Sequence, residues 1–184
     1  MDIGAENYCR FLNGHNDALI ELIKLYKDSL ILFIDSTVHN VFIAEDLMEE
    51  TFVRLATKRP CFSGHSSFKT FLFSIARNLA IDWMRKESKN NHIPLDSIQN
   101  ELATTSLEQS YFRKDRQLRV RNAVKRLPPN YAEIIHLVYF EGLSNSDVAK
   151  IMKKNKRQIE NMLYRAKSSL KAELIKEGFH NEEP

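Results

Sequence analysis

Apolar residues recur at helical spacing along most of this chain. From Asp17 to Val38 they stand at Leu19, Ile20, Leu22, Ile23, Leu25, Tyr26, Leu30, Ile31, Phe33 and Ile34, a wide apolar face on a helix of several turns. A second helix is predicted from Val41 to Lys58, stopped by Pro60. Its apolar side is Ala44, Leu47, Met48, Thr51, Phe52 and Leu55, and its other side is Glu45, Asp46, Glu49 and Glu50. After the turn-rich "CFSGHSS", Ser66 or Ser67 is the expected N-cap of a third helix, Phe68 to Lys86. Phe68, Leu72, Ile75, Leu79 and Trp83 hold its apolar face.

The periodicity then stops. The stretch "ESKNNHIPLDSIQNELATTSLEQS" is rich in Asn, Ser and Thr and reads as a linker. Helical patterning resumes over Arg116–Arg126, breaks at "LPPNY", and returns over Tyr131–Phe140. Ser144 with Asp147 forms a capping box for a further helix, with Val148, Ile151 and Met152 inside. Asn155 with Gln158 forms another, opening a helix to Lys176, and Gly178 is the expected stop. The expected fold class is therefore all-α: an N-terminal helical bundle and a C-terminal helix-turn-helix domain joined by a flexible linker. The expected boundaries are 1–88, linker 89–112, 113–179 and an acidic tail 180–184. Only 5 Gly and 5 Pro in 184 residues agree with helices rather than turn-rich β structure.

Charge sharpens this division. Residues 1–60 carry 6 basic and 10 acidic side chains, whereas residues 111–176 carry 16 basic and 6 acidic. The basic half suits a polyanion, or is simply a solvated basic surface. Cys9 and Cys61 form no CxxC pair and suggest a reducing compartment. The six histidines are scattered without ligand spacing, so no metal and no cofactor is expected. The N-terminus lacks a signal-peptide pattern and no apolar run is long enough for a bilayer, so a cytoplasmic protein with no membrane insertion is expected.

The short helix, tight turn and basic helix near the C-terminus have helix-turn-helix form. In such a unit the second helix enters the major groove N-terminus first. Lys156, Arg157 and Gln158 stand in that turn, followed by Glu160 and Asn161. Arg and Lys pair with guanine, Gln and Asn with adenine, and Glu with the cytosine amino group. Lys153, Lys154, Arg165 and Lys167 are better placed for phosphate. An ordinary amphipathic helix with a solvated basic face has the same pattern. In the N-terminal half, Phe68, Phe71, Phe73 and Trp83 interleave with Lys69, Arg77, Arg85 and Lys86. That mixture suits single-stranded nucleic acid, and it also suits a core helix with Asp82 paired to Arg85. The acidic face of Asp46, Glu49 and Glu50 beside Phe52 suits a basic partner, or only solvent.

Four strings in this order, "AEDLMEETFVRLATK", "FSGHSSFKTFLFSIARNLAIDWMRK", "LPPNYAEIIHLVYFEGLSNSDVAKIM" and "YRAKSSLK", resemble an RNA polymerase sigma factor of the extracytoplasmic-function type, in the sigma-70 family. The resemblance covers nearly the whole chain and implies a non-enzymatic promoter-specificity subunit. It implies core RNA polymerase as partner through the clamp coiled coil and the flap, promoter DNA, and an inhibitory anti-sigma factor. It implies polymerase binding at Asp46, Glu49, Glu50 and Phe52. For the unpaired −10 element it implies His65, Ser66, Lys69, Phe73, Arg77, Asn78, Asp82, Arg85 and Lys86. For the −35 duplex it implies Lys154, Asn155, Lys156, Arg157, Gln158, Glu160, Asn161, Arg165 and Lys167. The chain departs from the family where Phe71 replaces a frequent Trp. It departs again where Arg157-Gln158-Ile159-Glu160-Asn161-Met162 replaces the commoner Gly-Thr-Val-Lys-Ser-Arg. A helix-turn-helix regulator acting without polymerase, and a helical adaptor with no DNA role, are the alternatives that the residues alone leave open.

Overall fold

The computed structural model describes residues 2–90 and 118–179. The N-terminal half has four helices: α1 Ile3–Leu12, α2 Asp17–Val38, α3 Val41–Lys58 and α4 Phe68–Asn90. Helix α2 is the axis of the bundle. Ala18, Leu22, Tyr26, Leu30, Phe33 and Ile34 are buried along it, against the other three helices. Left-handed residues end α2 at His39 (φ 56°) and α3 at Arg59 (φ 42°). Asn40 starts α3, its side chain accepting from the N–H groups of Phe42 and Ile43. Ser67 caps α4 as expected, its hydroxyl accepting from Thr70 N–H at 3.1 Å.

Helix α1 is not among the elements that the apolar pattern predicts. Asp2 holds it in place by capping two helices at once. One carboxylate oxygen accepts from Gly4 and Ala5 N–H, and the other accepts from Phe68 N–H at 2.6 Å, at the start of α4. Gly4 lets the two helices come this close, because a Cβ there would stand 2.4 Å from the Tyr26 hydroxyl and 2.6 Å from Phe68. Tyr8, fully buried, donates its hydroxyl to the Pro60 carbonyl at 2.8 Å and so pins the loop after α3.

The C-terminal half contains α5, whose described part is 118–125, then α6 Pro129–Ile135, α7 Asn145–Met152 and α8 Lys156–Lys176. Helix α6 runs into one π turn, His136–Phe140, in which Glu141 N–H reaches back to the His136 carbonyl. Ala132, Ile134, Ile135, Leu137, Val148, Ile151, Ile159 and Ala166 form the core of this half. Most of the expected linker, 89–112, lies outside the described residues, as does the tail 180–184. Residues 89 and 90 do not belong to a linker, because α4 continues through Asn90.

The two halves pack against each other, α4 on α7 and α2 on α6. Phe33 of α2 meets His136 of the π turn with ring centroids 5.8 Å apart. This second layer buries Asp35, Ser36 and Thr37 at the end of α2.

Candidate nucleic-acid interface

The helix-turn-helix is built by two caps. Ser144 starts α7, accepting from Asp147 N–H and donating its hydroxyl to the Asp147 carboxylate. Lys153 then takes a left-handed conformation (φ 53°) that turns the chain, and Asn155 starts α8. Asn155 Oδ1 accepts from Gln158 N–H at 2.8 Å, and Gln158 Oε1 accepts from Asn155 N–H at 2.9 Å. That reciprocal box satisfies two amides that a helix start leaves free. It also engages the Gln158 amide oxygen. Pairing with adenine takes both amide atoms of Gln158, so Gln158 reads adenine only if the cap opens.

Ile159 and Ala166 anchor the inner side of α8 with no exposure. Their burial turns Asn155, Lys156, Arg157, Gln158, Glu160, Asn161 and Arg165 outward. Lys154 in the turn is half-buried. Lys156 and Glu160 approach within 4.0 Å, both well exposed. Lys167 is exposed but lies at the rim of an apolar groove with Lys171, Leu170 and Leu174, to one side of the outward face. Tyr164, 75% exposed on the same side as Arg157 and Asn161, joins this face although the sequence reading does not include it. Its spacing of seven and three from them is the signal that identifies it.

The residues expected for the −10 element divide between two environments. Asp82, Arg85 and Lys86 face solvent, with Asp82 and Arg85 3.8 Å apart. Ser66 and Asn78 are half-buried. Lys69 and Arg77 face the C-terminal half, whereas His65 is exposed and meets that half through its backbone alone. The His65 carbonyl accepts from Lys150 Nζ at 2.8 Å. Lys69 Nζ meets the Glu141 carboxylate at 2.6 Å and donates to the Glu141 carbonyl at 2.9 Å. Arg77 forms a two-pronged pair with Glu133, Nε to Oε1 and Nη2 to Oε2, the latter at 3.2 Å. Phe73 corrects the expectation. It is fully buried against Phe33 and lies under Lys69, so its ring offers no face for a base to stack on.

Burial and pairing oppose each other in this seam, with opposite outcomes at its two carboxylates. Burial pushes the Glu133 carboxyl above its ordinary value, against the opposing pull of Arg77 and Lys154. Burial also pushes Glu141 upward, but hydrogen bonds from His136 and Lys69 outweigh it and hold Glu141 below the ordinary value. The π turn makes this possible. It brings His136 Nε2 within 3.1 Å of Glu141 Oε1, five positions on, and stacks the imidazole on Phe140.

On α3 the acidic face is as expected except at its apolar member. Asp46 and Glu49 are exposed, and Glu50 accepts from Arg54 at 2.8 Å. Phe52 is 5% exposed and belongs to the core. The exposed apolar residues on this helix are Phe42 (64%) and Val53 (52%). With Asp46 and Glu49 they make one stripe at helical spacing, acidic in the middle and apolar at both ends.

Comparison with known proteins assigns the chain. Residues 22–90 match Sigma-70 region 2, and residues 117–170 match Sigma-70, region 4. The chain is 30% identical over 162 residues to the ECF RNA polymerase sigma factor SigM of Bacillus subtilis, covering 88% of this chain and 98% of that one. It is 26% identical over 164 residues to the sigma factor YlaC of the same organism, covering 88% and 95%. Among solved structures it resembles the sigma factor RpoE of Bartonella quintana, determined with the anti-sigma factor NepR. There the identity is 25% and the TM-score 0.68, over 84% of this chain and 94% of that one. The fold also matches CnrH, determined with the cytosolic domain of CnrY, at 19% identity and a TM-score of 0.65 over 94% of each chain. Among the described residues no helix is long and apolar enough to cross a membrane. The chain belongs to the extracytoplasmic-function sigma factors of the sigma-70 family, non-catalytic subunits that bind core RNA polymerase and promoter DNA and direct transcription initiation.

Proposed function

We propose that α8 reads the −35 element in the major groove, and that the loop before α4, together with α4, holds the unpaired −10 strand. The observation that carries this reading is the seating of α8. Ile159 and Ala166 are buried, and that fixes Lys156, Arg157, Glu160 and Asn161 on one outward face at the leading end of a helix. Such a face carries the side chains that discriminate base edges. Tyr164 extends it by one turn. On α4, Lys69, Arg77, Arg85 and Lys86 supply backbone charge for an extruded base, whose flipping costs a few kcal/mol. Ser66, Asn78 and Asp82 add polar contacts along the same strand, beside His65.

The stripe of Phe42, Asp46, Glu49 and Val53, with Glu50 beside it, docks on the clamp coiled coil of the polymerase. The groove between α5, α6 and α8, about 500 Å³ and lined by Val124, Ile135, Leu170, Leu174 and Ile175, takes an apolar helix from the polymerase flap or from an anti-sigma factor. Its basic rim, Lys167 and Lys171, suits an acidic partner. The protein acts in the cytoplasm, where its polymerase is.

Run-off transcription with core polymerase on a randomised promoter library tests the reading. Enrichment of two separated sequence blocks is expected. A single block, or transcription indifferent to sequence, would overturn it. A pull-down with core polymerase tests docking. The Asp46→Lys, Glu49→Lys, Glu50→Lys triple variant should lose core binding, and unchanged binding would remove that role from α3.

A further inference from the structure

We propose that Asp2 and Tyr8, at the start and on the inner side of α1, are positioning residues for the −10 element: they pin the two ends of the loop 60–67 and so set which base that loop captures. The inference rests on the −10 role given above to this loop.

Both pins reach the loop from α1. Arg59, in a left-handed conformation (φ 42°), turns the chain out of α3 and lays its guanidinium over the Phe11 ring, 5.3 Å from the centroid. Pro60 follows and has no N–H to offer, but its carbonyl accepts from the Tyr8 hydroxyl at 2.8 Å. Phe62 then packs on Phe68 and Phe71, with ring centroids 5.8 and 5.4 Å away. Tyr8 reaches the same two rings at 5.2 and 6.1 Å. Asp2 ties the far end of the loop. A helix leaves its first amides without internal partners. Asp2 Oδ2 accepts from the Phe68 amide at 2.6 Å, while Oδ1 accepts from those of Gly4 and Ala5. Its negative charge thus stands at the positive ends of two helices. Between these ties Ser63, Gly64, His65 and Ser67 are exposed, and Gly64 (φ 73°) makes the bend.

Neither pin touches DNA itself. Tyr8 has no exposed surface, and the Asp2 oxygens are engaged by the amides of Gly4, Ala5 and Phe68. They act through the loop. Fixing a backbone costs conformational entropy, and here the docking of α1 meets that cost before any strand arrives. A loop held at both ends presents His65 and Ser66 in one arrangement, which favours one extruded base over the others. A loop free at one end orders only at capture and adapts to any base. The match to Sigma-70 region 2 begins at residue 22, so Asp2, Tyr8 and Phe11 all lie ahead of the matched segment.

The test uses the full chain with core polymerase and two variants that each remove one pin. Tyr8→Phe keeps the buried ring and deletes only the hydroxyl. Asp2→Asn has one acceptor oxygen where the carboxylate has two, so it serves α1 or α4 but not both. Circular dichroism checks that each variant folds, and the pins are separate, so either variant alone decides. Selection from a library randomised at −35 and at −10 should show the −10 preference flattened by about tenfold in each variant, the factor for one ordinary hydrogen bond. The −35 preference and the affinity for core polymerase should match wild type. The flattening should persist on templates already unpaired at −10, because it arises at base capture and not in opening the duplex. Ile34→Val, which thins the core toward the other end of α2, controls for stability alone and should keep the wild-type −10 preference. Unchanged −10 preference in a folded variant, equal losses at −10 and −35, or the same loss in Ile34→Val would overturn the positioning role. Failure of the underlying −10 reading looks different. In that case His65→Ala and Ser66→Ala, in the loop itself, would leave the −10 preference intact.

Discussion

Arg77 of α4 and Glu133 of α6, 56 positions apart in the chain, close on each other through two parallel hydrogen bonds at the seam between the two halves. Each is almost fully enclosed. Truncating one partner leaves a buried charge without its counterion, which costs about 3–5 kcal/mol when the structure cannot relax. Glu133→Ala should therefore destabilise the closed arrangement strongly. The halves can separate instead of unfolding, so the expected result is two unfolding transitions by circular dichroism in place of one. Replacing both partners, Arg77→Met with Glu133→Leu, should restore a single transition. A single unchanged transition in Glu133→Ala would show that the pair contributes nothing to the seam.

Glu141 gives the seam a pH dependence of known sign. Its carboxyl lies below the ordinary 4.5 in the folded chain, because hydrogen bonds from His136 and Lys69 outweigh burial. The unfolded chain binds the proton more readily, so this contribution to stability rises with pH. It is fully present above about pH 4.5 and is lost as pH falls through the depressed value. Glu141→Gln should thus be less stable than wild type at neutral pH, with the difference shrinking below pH 4.5. Urea titrations at several pH values measure it, and a gap that widened in acid would contradict the assignment.

Gly4 lets α1 lie against Tyr26 and Phe68. A methyl group there collides with a buried ring and a buried hydroxyl, and overpacking of this kind costs about 1–3 kcal/mol. Gly4→Ala should lower the unfolding free energy by that amount, read as a lower midpoint in urea titrations. A neutral effect would show that α1 shifts outward freely.

Local features are legible in the sequence and distant ones are not. Helices α2 and α3 follow directly from periodicity and from Pro60, and the Asn155–Gln158 box follows from residue spacing, because each is decided within a few residues. Helix α1 carries a local signal that the reading passes over, the Asp2 cap with Tyr8 and Phe11 three apart, but its docking on α4 through Asp2 and Phe68, 66 positions apart, is not legible. Phe52 and Phe73 show why an aromatic beside charges is ambiguous. Sequence shows the neighbours on the helix but not the Phe33 ring that encloses Phe73. The π turn that brings Glu141 to His136 has no composition signal, and the seam pairs join residues 56 to 90 positions apart in sequence. On α8, by contrast, charge and capping together mark the outward face, because both act within a turn or two of the helix start.

Arg157 and Lys167 separate sequence choice from general affinity. Arg157 leads α8, and Lys167 stands three turns on at the groove rim. Arg157→Ala should cost about 1–3 kcal/mol at one −35 position and relax the preference there. Lys167→Ala should weaken binding to all sequences alike and reduce the salt slope by about one phosphate contact. Holoenzyme binding to a −35 library at two salt concentrations distinguishes them. A change of base preference in Lys167→Ala would move that residue from phosphate to base contact.

Glu160 is a carboxylate among the cations and amides at the leading end of α8. It lies exposed, 4.0 Å from Lys156. A carboxylate facing DNA accepts from a cytosine amino group and repels phosphate. Glu160→Lys removes both effects and frees Lys156 from its neighbour. The variant should bind duplexes of every sequence more tightly, with a salt slope steeper by about one contact. Its preference for one −35 base should fall by about 1–3 kcal/mol. Selection from a library with the variant holoenzyme measures both quantities together. Unchanged preference with tighter binding would make Glu160 a filter against phosphate, and lost preference at unchanged slope would make it a reader of cytosine.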